Sequence, residues 1–568
     1  MNKIKQPRTP GFVAWIELQA ITQRIGTVGL RFFQPNLNGL KTTLSALLTA
    51  GTLGLSGCMM VGPDYQKPQA PTATDWIDQH NPALKRSEAD LSEWWKVFHD
   101  PLLNELIDSA RKQNLTLQAA GIRIFEARAQ LGIASGLLYP QQQSAGGSVN
   151  HQQISQHAAN TSPGMDRRFA TASIGFDVGW ELDLWGKFRR GVEAGQANLD
   201  AVVANFDDLL VSLTAEVART YVLIRTLEER IQVARENLEI QRQTLKIADA
   251  MYAGGAITEL DYLQAETLYR DTQATIPPLE AALRQTKNAL SVLLGKPPGA
   301  IDTMLAGRGP IPLPPAEVVV GVPADLLRRR PDIRLTERRL ASQSALIGVA
   351  QADLYPHFTL LGSIGLSASD AALTFATGGA SNLANMFTGK SFQYFVGPSI
   401  RWDIFNYGRI RNRVRVEDAR FQALIAEYRN TVLKAAREAE DAIAAFVKSQ
   451  VEREKLQMSY QASKRSVDLS LFQYREGMVN YQRVLDSQRS QLQAQNNLTQ
   501  VKGDVAINLI TLYKALGGGW QTRTEADFVP QEIKHEMSQR TNWGDFMEPE
   551  QLELPAEKKK RFWRLPDW

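Results

Sequence analysis

Cysteine is almost missing from this chain: Cys58 is the only one in 568 residues. That excludes a disulfide framework and the thiolate-rich metal sites. Histidine is scarce as well. The six are scattered, and His151 and His157 have no carboxylate or cysteine nearby to complete a metal site. No apolar run reaches the ~18–20 residues that a membrane-spanning helix requires. A strong charge excess is also lacking: 64 basic against 60 acidic residues leave +4, too weak a balance for a nucleic-acid partner. The glycines form no phosphate-cradling loop, since Gly517-Gly518-Gly519 follows a helical stretch instead of opening one. No catalytic group, metal or cofactor is expected from such a chain.

Proline is missing from two long stretches, between Pro163 and Pro277 and between Pro398 and Pro530. These gaps can hold long helices. From Arg409 to Glu476 there is neither Gly nor Pro, so a helix there would run about 100 Å at ~1.5 Å per residue. Its forerunner carries Phe206, Leu210, Leu213, Val217, Thr220 and Ile224 at 4-3-4-3-4 spacing, the seam of a coiled coil. Charged residues interleave with the seam, which excludes a transmembrane helix.

The chain also says the same thing twice. Tyr252, Gly255, Ile257 and Leu263 are matched 222 positions later by Tyr474, Gly477, Val479 and Leu485. The apolar seam lands on Tyr428, Val432, Ala435, Ala439, Ala442 and Phe446, and Leu294-Gly295 lands on Leu516-Gly517. Nearer the start of each half the offset is 216, where Leu131 to Pro140 matches Ile347 to Pro356. Two internal repeats are expected, each a helical hairpin that turns at its glycine.

Before each long helix the period falls to two. Ala170, Ala172, Ile174, Phe176, Val178, Trp180, Leu182 and Leu184 alternate with polar residues and glycines. Phe392, Tyr394, Val396, Ile400, Trp402 and Ile404 repeat the pattern, and a weaker run spans Phe358 to Leu366. Such strands suit a membrane β-barrel or one face of a soluble sandwich. Four strands cannot close a bacterial barrel, which needs about eight or more. Two chains would supply eight and three would supply twelve. The six arginines Arg328, Arg329, Arg330, Arg334, Arg338 and Arg339 surround Pro331 and are expected on a solvated or inter-subunit face.

Cys58 ends the phrase L-S-G-C after an apolar run from Leu44 to Leu55. This resembles the bacterial lipobox, whose cysteine is acylated, palmitate included, and becomes the mature N-terminus; the alternative is a small buried residue in a leader. The leader exceeds the usual ~15–30 residues of a signal peptide. Met59 follows the cysteine where an aspartate would retain the protein at the inner membrane, so the outer membrane is expected.

Four phrases carry a wider resemblance: V-G-P-D-Y-Q-K-P (Val61 to Pro68), W-W-K-V-F-H-D-P-L-L (Trp94 to Leu103), V-P-A-D-L-L-R-R-R-P-D-I-R (Val322 to Arg334) and L-G-G-G-W (Leu516 to Trp520). They are similar to the outer-membrane efflux lipoproteins of the TolC family, NodT subgroup, from about Cys58 to Trp520. The resemblance implies a homotrimer sharing a 12-strand membrane β-barrel that continues into a 12-helix periplasmic tunnel. A periplasmic adaptor and an inner-membrane efflux transporter would feed it. The implied plan is a leader at 1–57, a mature N-terminal segment at 58–100 and a first repeat at 101–299. Its strands lie near 142–156 and 169–185 and its hairpin tip near 252–258. A connector at 300–322 precedes a second repeat at 323–520, with strands near 357–368 and 391–405 and a tip near 474–480. A polar, solvated tail follows at 521–568. The resemblance makes Tyr474, Arg475, Asp486 and Arg489 the periplasmic gate, and makes the two tip phrases, Tyr252 to Leu263 and Gly477 to Leu485, the adaptor-docking surface. At position 482, where some relatives carry an aliphatic residue, this chain has Gln. The competing expectations are an exit duct for an ATP-driven protein exporter and, in another class, a coiled-coil lipoprotein that spaces membranes.

Overall fold

The computed structural model describes residues 60–85, 90–158, 166–307, 309–315, 317–321, 329–371, 382–522 and 528–547. Cys58 lies outside them. In chain order the described elements begin with strand β1 (Leu84–Lys85), a 3-10 turn (Trp94–Phe98), helices α1 (Pro101–Gln113) and α2 (Leu115–Gly136), and strands β2 (Gln142–Gln153) and β3 (Arg168–Glu181). The first hairpin follows, α3 (Lys187–Ala253) and α4 (Glu259–Leu293), then β4 (Val318–Val319), α5 (Pro331–Ala352), β5 (His357–Ser369) and β6 (Phe392–Arg401). The second hairpin is α6 (Arg409–Arg475) and α7 (Tyr481–Ala515), and α8 (Gln531–Arg540) comes last. The outgoing helices α3 and α6 have 67 residues each, and the returning helices α4 and α7 have 35 each.

The local signals explain the boundaries. Pro101 and Pro331 open α1 and α5 at a position where the missing N–H costs nothing. The Asp100 carboxylate caps α1 by accepting from the N–H groups of Leu102 and Leu103. Helix α4 departs from the proline rule, because Pro277 and Pro278 lie inside it. Each removes one donor, so the carbonyls of Gln273 and Ala274 lose their usual partner. Close packing of α4 along α3 holds the helix through that defect, and proline-free stretches therefore understate the helical length.

Strands β2, β3, β5 and β6 form an antiparallel sheet in that order. One cross-strand row is Ala145, Phe176, Ile364 and Tyr394, and the next is Gly147, Ile174, Leu366 and Phe392. The alternate rows include Ser144, Asp177, Ser363 and Phe395. One face is thus apolar and the other mostly polar, as side-chain alternation along a strand requires. Phe176, Ile364, Tyr394, Val396 and Ile400 stand exposed on the apolar face. The outer edges of β2 and β6 pair with no described strand.

The main core lies where the hairpins meet α1, α2 and the short parallel pair β1–β4. Three of the motif phrases converge there. Trp94 stacks on Tyr513 at 5.4 Å and meets Trp95 edge-on at 5.8 Å. Gly518 passes so close to Trp94 that a Cβ would lie 3.0 Å from the indole Cδ1. Arg330 donates to the Ala515 carbonyl at 2.7 Å and to Asp332 and Glu438, both at 2.8 Å. The arginine expectation is corrected here: Arg330 is buried, and Arg334 lies over the Trp520 ring at 4.9 Å, 3.7 Å from the buried Asp207. Two of their carboxylate partners, Glu438 and Asp207, sit on distant helices. The tail expectation is corrected over 528–547, which pack against α2 through Val529 and Met537; residues 523–527 and 548–568 lie outside the described residues.

Candidate functional site: the hairpin tips

Both tips are built alike. At the end of α3 the Ala256 N–H donates to the Met251 carbonyl at 2.8 Å, and Gly255 donates to Tyr252 at 2.9 Å. At the end of α6, Met478 donates to Gln473 at 2.9 Å and Gly477 to Tyr474 at 3.0 Å. These are Schellman closures, which need a left-handed residue. Gly255 and Gly477 supply it with φ of 75° and 73°. No atom lies within 4 Å of a Cβ built at either, so backbone conformation alone demands glycine. Helix α4 then restarts with a capping box between Thr258 and Asp261. Asn480 at the matching place makes no side-chain cap.

The structure divides the expected tip residues into two groups. Tyr252, Gly255 and Leu263 are exposed on the first tip, where Tyr252 stacks on Tyr262 at 5.8 Å. Gly477 is exposed on the second, and Ile257 and Val479 are half-buried. Leu485 departs from the expected docking surface: it is 1% exposed, in a cluster with Ala248, Ala265, Leu268, Tyr481 and Val484. Its repeat partner Leu263 is 47% exposed. The matching positions differ because α7 packs beside α3 while the corresponding side of α4 is open.

Of the expected gate residues, Tyr474 packs against the buried Tyr481 at 5.3 Å between ring centroids, and its hydroxyl meets the Met251 sulfur at 3.3 Å. Burial, and then the Asp261 carboxylate, raises the Tyr474 hydroxyl above its ordinary pKa. The Tyr481 hydroxyl moves the same way, through burial first and then Tyr474 and Asp261. Both phenols therefore stay protonated, and of the two only Tyr474 has a hydrogen-bond partner among the described residues. Arg475 is exposed. Asp486 and Arg489 are exposed and 3.7 Å apart on one helix face, and Gln482 donates to Asp486 at 2.9 Å. Within one chain this is a weak, solvated ion pair.

Sequence reading missed the seam between the hairpins. Along α3 and α7 the cross-links are Glu229 with Lys502 at 3.0 Å, Arg230 with Gln500 at 3.0 Å, Asn237 with Gln495 at 3.0 Å and Thr244 with Gln488 at 3.3 Å. Asn237, Gln241 and Gln488 are buried. The last two links are seven residues apart on each helix, so a search of the heptads for polar core positions would have found them.

An antiparallel sheet with one exposed apolar face, continued by two helices of about 100 Å that each fold back as a hairpin, defines a class of strand-and-long-hairpin proteins. Comparison with known proteins gives the class its family. The family model described as "Outer membrane efflux protein" matches residues 106–296 and 322–518. Nodulation protein T of Rhizobium leguminosarum bv. trifolii is 30% identical over 84% of this chain and 97% of its own length. Outer membrane protein OprJ of Pseudomonas aeruginosa is 31% identical over 84% and 96%. The solved outer-membrane channel OprN superposes with a TM-score of 0.75 at 32% identity, covering 81% of this chain and 99% of that one. The chain belongs to the outer membrane efflux protein family.

Proposed function

We propose that this outer-membrane channel component of a tripartite efflux pump works as a homotrimer whose β-barrel is shared between chains. The observation that carries the reading is the four-stranded sheet, with an exposed apolar face and unpaired edges at β2 and β6. An open edge in lipid leaves backbone groups unsatisfied at several kcal/mol each, so the sheet needs neighbours. Three copies give twelve strands, and four long helices per chain give a twelve-helix tunnel built from two repeats per chain. Acylated Cys58 adds a lipid anchor in the outer membrane. The exposed tips, with Tyr252, Gly255, Ile257, Leu263, Gly477 and Val479, meet a periplasmic adaptor that couples the duct to an inner-membrane transporter. Tyr474, Arg475, Asp486 and Arg489 narrow the periplasmic end. If Asp486 and Arg489 exchange their intrahelical contact for one between neighbouring helices, each pair contributes ~0–1 kcal/mol. Three copies then bias closure weakly enough for docking to reverse it.

The test is native mass measurement in detergent followed by single-channel recording in planar bilayers. Three subunits are expected, and Asp486→Ala with Arg489→Ala should raise conductance in an intact trimer. A stable, conducting monomer would overturn the shared barrel. Unchanged conductance in a correctly inserted trimer would remove the pair from the gate.

A further inference from the structure

The family match ends at residue 518, yet Phe528–Met547 is folded against α2. The face of α2 that receives it is unusual. Gly121, Phe125, Arg128 and Gly132 follow at intervals of four, three and four, so they line one side of the helix. At Gly121 the backbone of the tail replaces a side chain: a Cβ there would lie 2.1 Å from the Phe528 carbonyl oxygen. At Gly132 a Cβ would lie 2.9 Å from the Phe546 ring. Between them Phe125, 1% exposed, is packed with Val529 and Met537 and with the half-buried Ile533, Trp543 and Met547. Arg128 donates to the Phe546 carbonyl at 2.9 Å, and its guanidinium and the Lys534 ammonium both lie 5.8 Å from the Phe125 ring centre. Lys534 also donates to the Met547 carbonyl at 3.2 Å. Phe528 reaches further, meeting Phe206 of α3 edge-on at 5.1 Å.

Glycine inside a helix is unfavourable relative to alanine. Two on one face, each filled by the same distant segment, form a groove shaped for a peptide. We propose that this face of α2 is a peptide-binding groove whose ligand is the chain's own C-terminal segment, Phe528–Met547. The bound segment is a clasp: it joins α2 to α3 through Phe206, and α2 leads directly into β2, the edge strand of the sheet. It thereby fixes the direction in which that edge is presented. The clasp is separate from the duct and its gate, so failure of either reading leaves the other standing.

Two experiments test the assignment on the folded full chain. A specific protease site placed within residues 523–527 allows the clasp to be cut after folding. The cut segment should stay with the channel through size exclusion, and excess synthetic peptide of residues 528–547 should exchange with it. Gly121→Leu should release it and speed hydrogen exchange along α2 at least tenfold. The second experiment reads a sign. Gly121→Ala should lower the melting temperature of the full chain but raise or leave unchanged that of a chain ending at Thr522. Immediate loss of the cut segment from the unsubstituted channel would overturn the groove, and so would an equal effect of Gly121→Ala in both lengths. If the shortened chain fails to fold, the exchange of cut peptide decides alone.

Discussion

Leu263 and Leu485 occupy matching places in the two halves, and truncating each to alanine should have opposite consequences. Leu485 is one of six buried residues in its cluster, two of them alanines. Leu→Ala in a core costs about 2–5 kcal/mol. The tip cluster is small and can partly collapse into the space, so the low end, ~2 kcal/mol, applies. At about 1.4 kcal/mol per tenfold, local opening of the second tip should become roughly 30-fold more frequent. Hydrogen exchange of backbone amides from 478 to 490 reads that opening directly. Leu263 is almost half exposed and joins no buried cluster, so Leu263→Ala should change exchange by less than about 0.5 kcal/mol, within about twofold. Its expected effect is instead on affinity for the adaptor, measured by surface binding with the channel immobilised. Equal exchange rates in the two variants would refute the division of the tips into a packed and a docking side. Unchanged adaptor affinity in Leu263→Ala would refute the docking assignment.

The hairpin seam and the segment around Lys67 give two further predictions. The side-chain carbonyls of Gln241 and Gln488 are buried with no hydrogen-bond partner among the described residues, a cost of about 1–3 kcal/mol each. Gln241→Leu should therefore slow exchange along α3 by about 5- to 100-fold, whereas Gln488→Leu also loses the bond to Thr244 and should gain less; faster exchange in Gln241→Leu would refute the desolvation argument. The Glu337 carboxyl is pushed up by burial, but Lys67 and Arg338 outweigh this and hold it below the usual range. A depressed carboxylate stabilises fully above its unfolded pKa of about 4.3 and loses that contribution as pH falls through the folded value. Protection of residues 61–70 from proteolysis should therefore fall below about pH 4. Glu337→Gln should lower protection at neutral pH and flatten that acid dependence; an unaltered acid profile would refute the assignment.

What was legible from sequence was whatever is periodic. The alternation from Ala170 and the strand Arg168–Glu181 describe one element, and each tip glycine stands just beyond a 67-residue helix. What was not legible depends on partners far away in the chain. Arg330 reads as a surface charge beside its neighbours until Glu438 and the Ala515 carbonyl come within 2.8 Å. Leu485 and Leu263 hold matching places in the two halves and acquire different burial from the helix beside them. Pro277 and Pro278 signal a helix end locally, and lateral packing overrides them. The tail from 528 is polar enough to read as solvated, and only Gly121 and Gly132, inside a helix that has no need of glycine, hinted that something fits against α2.

The two halves also differ in how far the chain buries them. Helices α3 and α6 are equally long, yet 29 residues of α3 are buried and only 13 of α6. Helix α3 is surrounded by α1, α2, α4, α5 and α7, whereas among the described helices α6 lies mainly against α5 and α7, with the segment from Tyr65 to Ile77 along part of it. Leu433, Val451, Met458 and Phe472 of α6 consequently remain exposed. Helix α6 continues the polypeptide from β6, one of the two unpaired sheet edges, and α2 leads into the other at β2. The unburied helix and one unpaired edge therefore belong to one continuous stretch of chain. Repetition sets the lengths of the elements, but burial follows position in the chain's own packing order. The half that comes last keeps an open flank in both strand and helix, the surface that the proposed trimer would cover with another copy of the same chain.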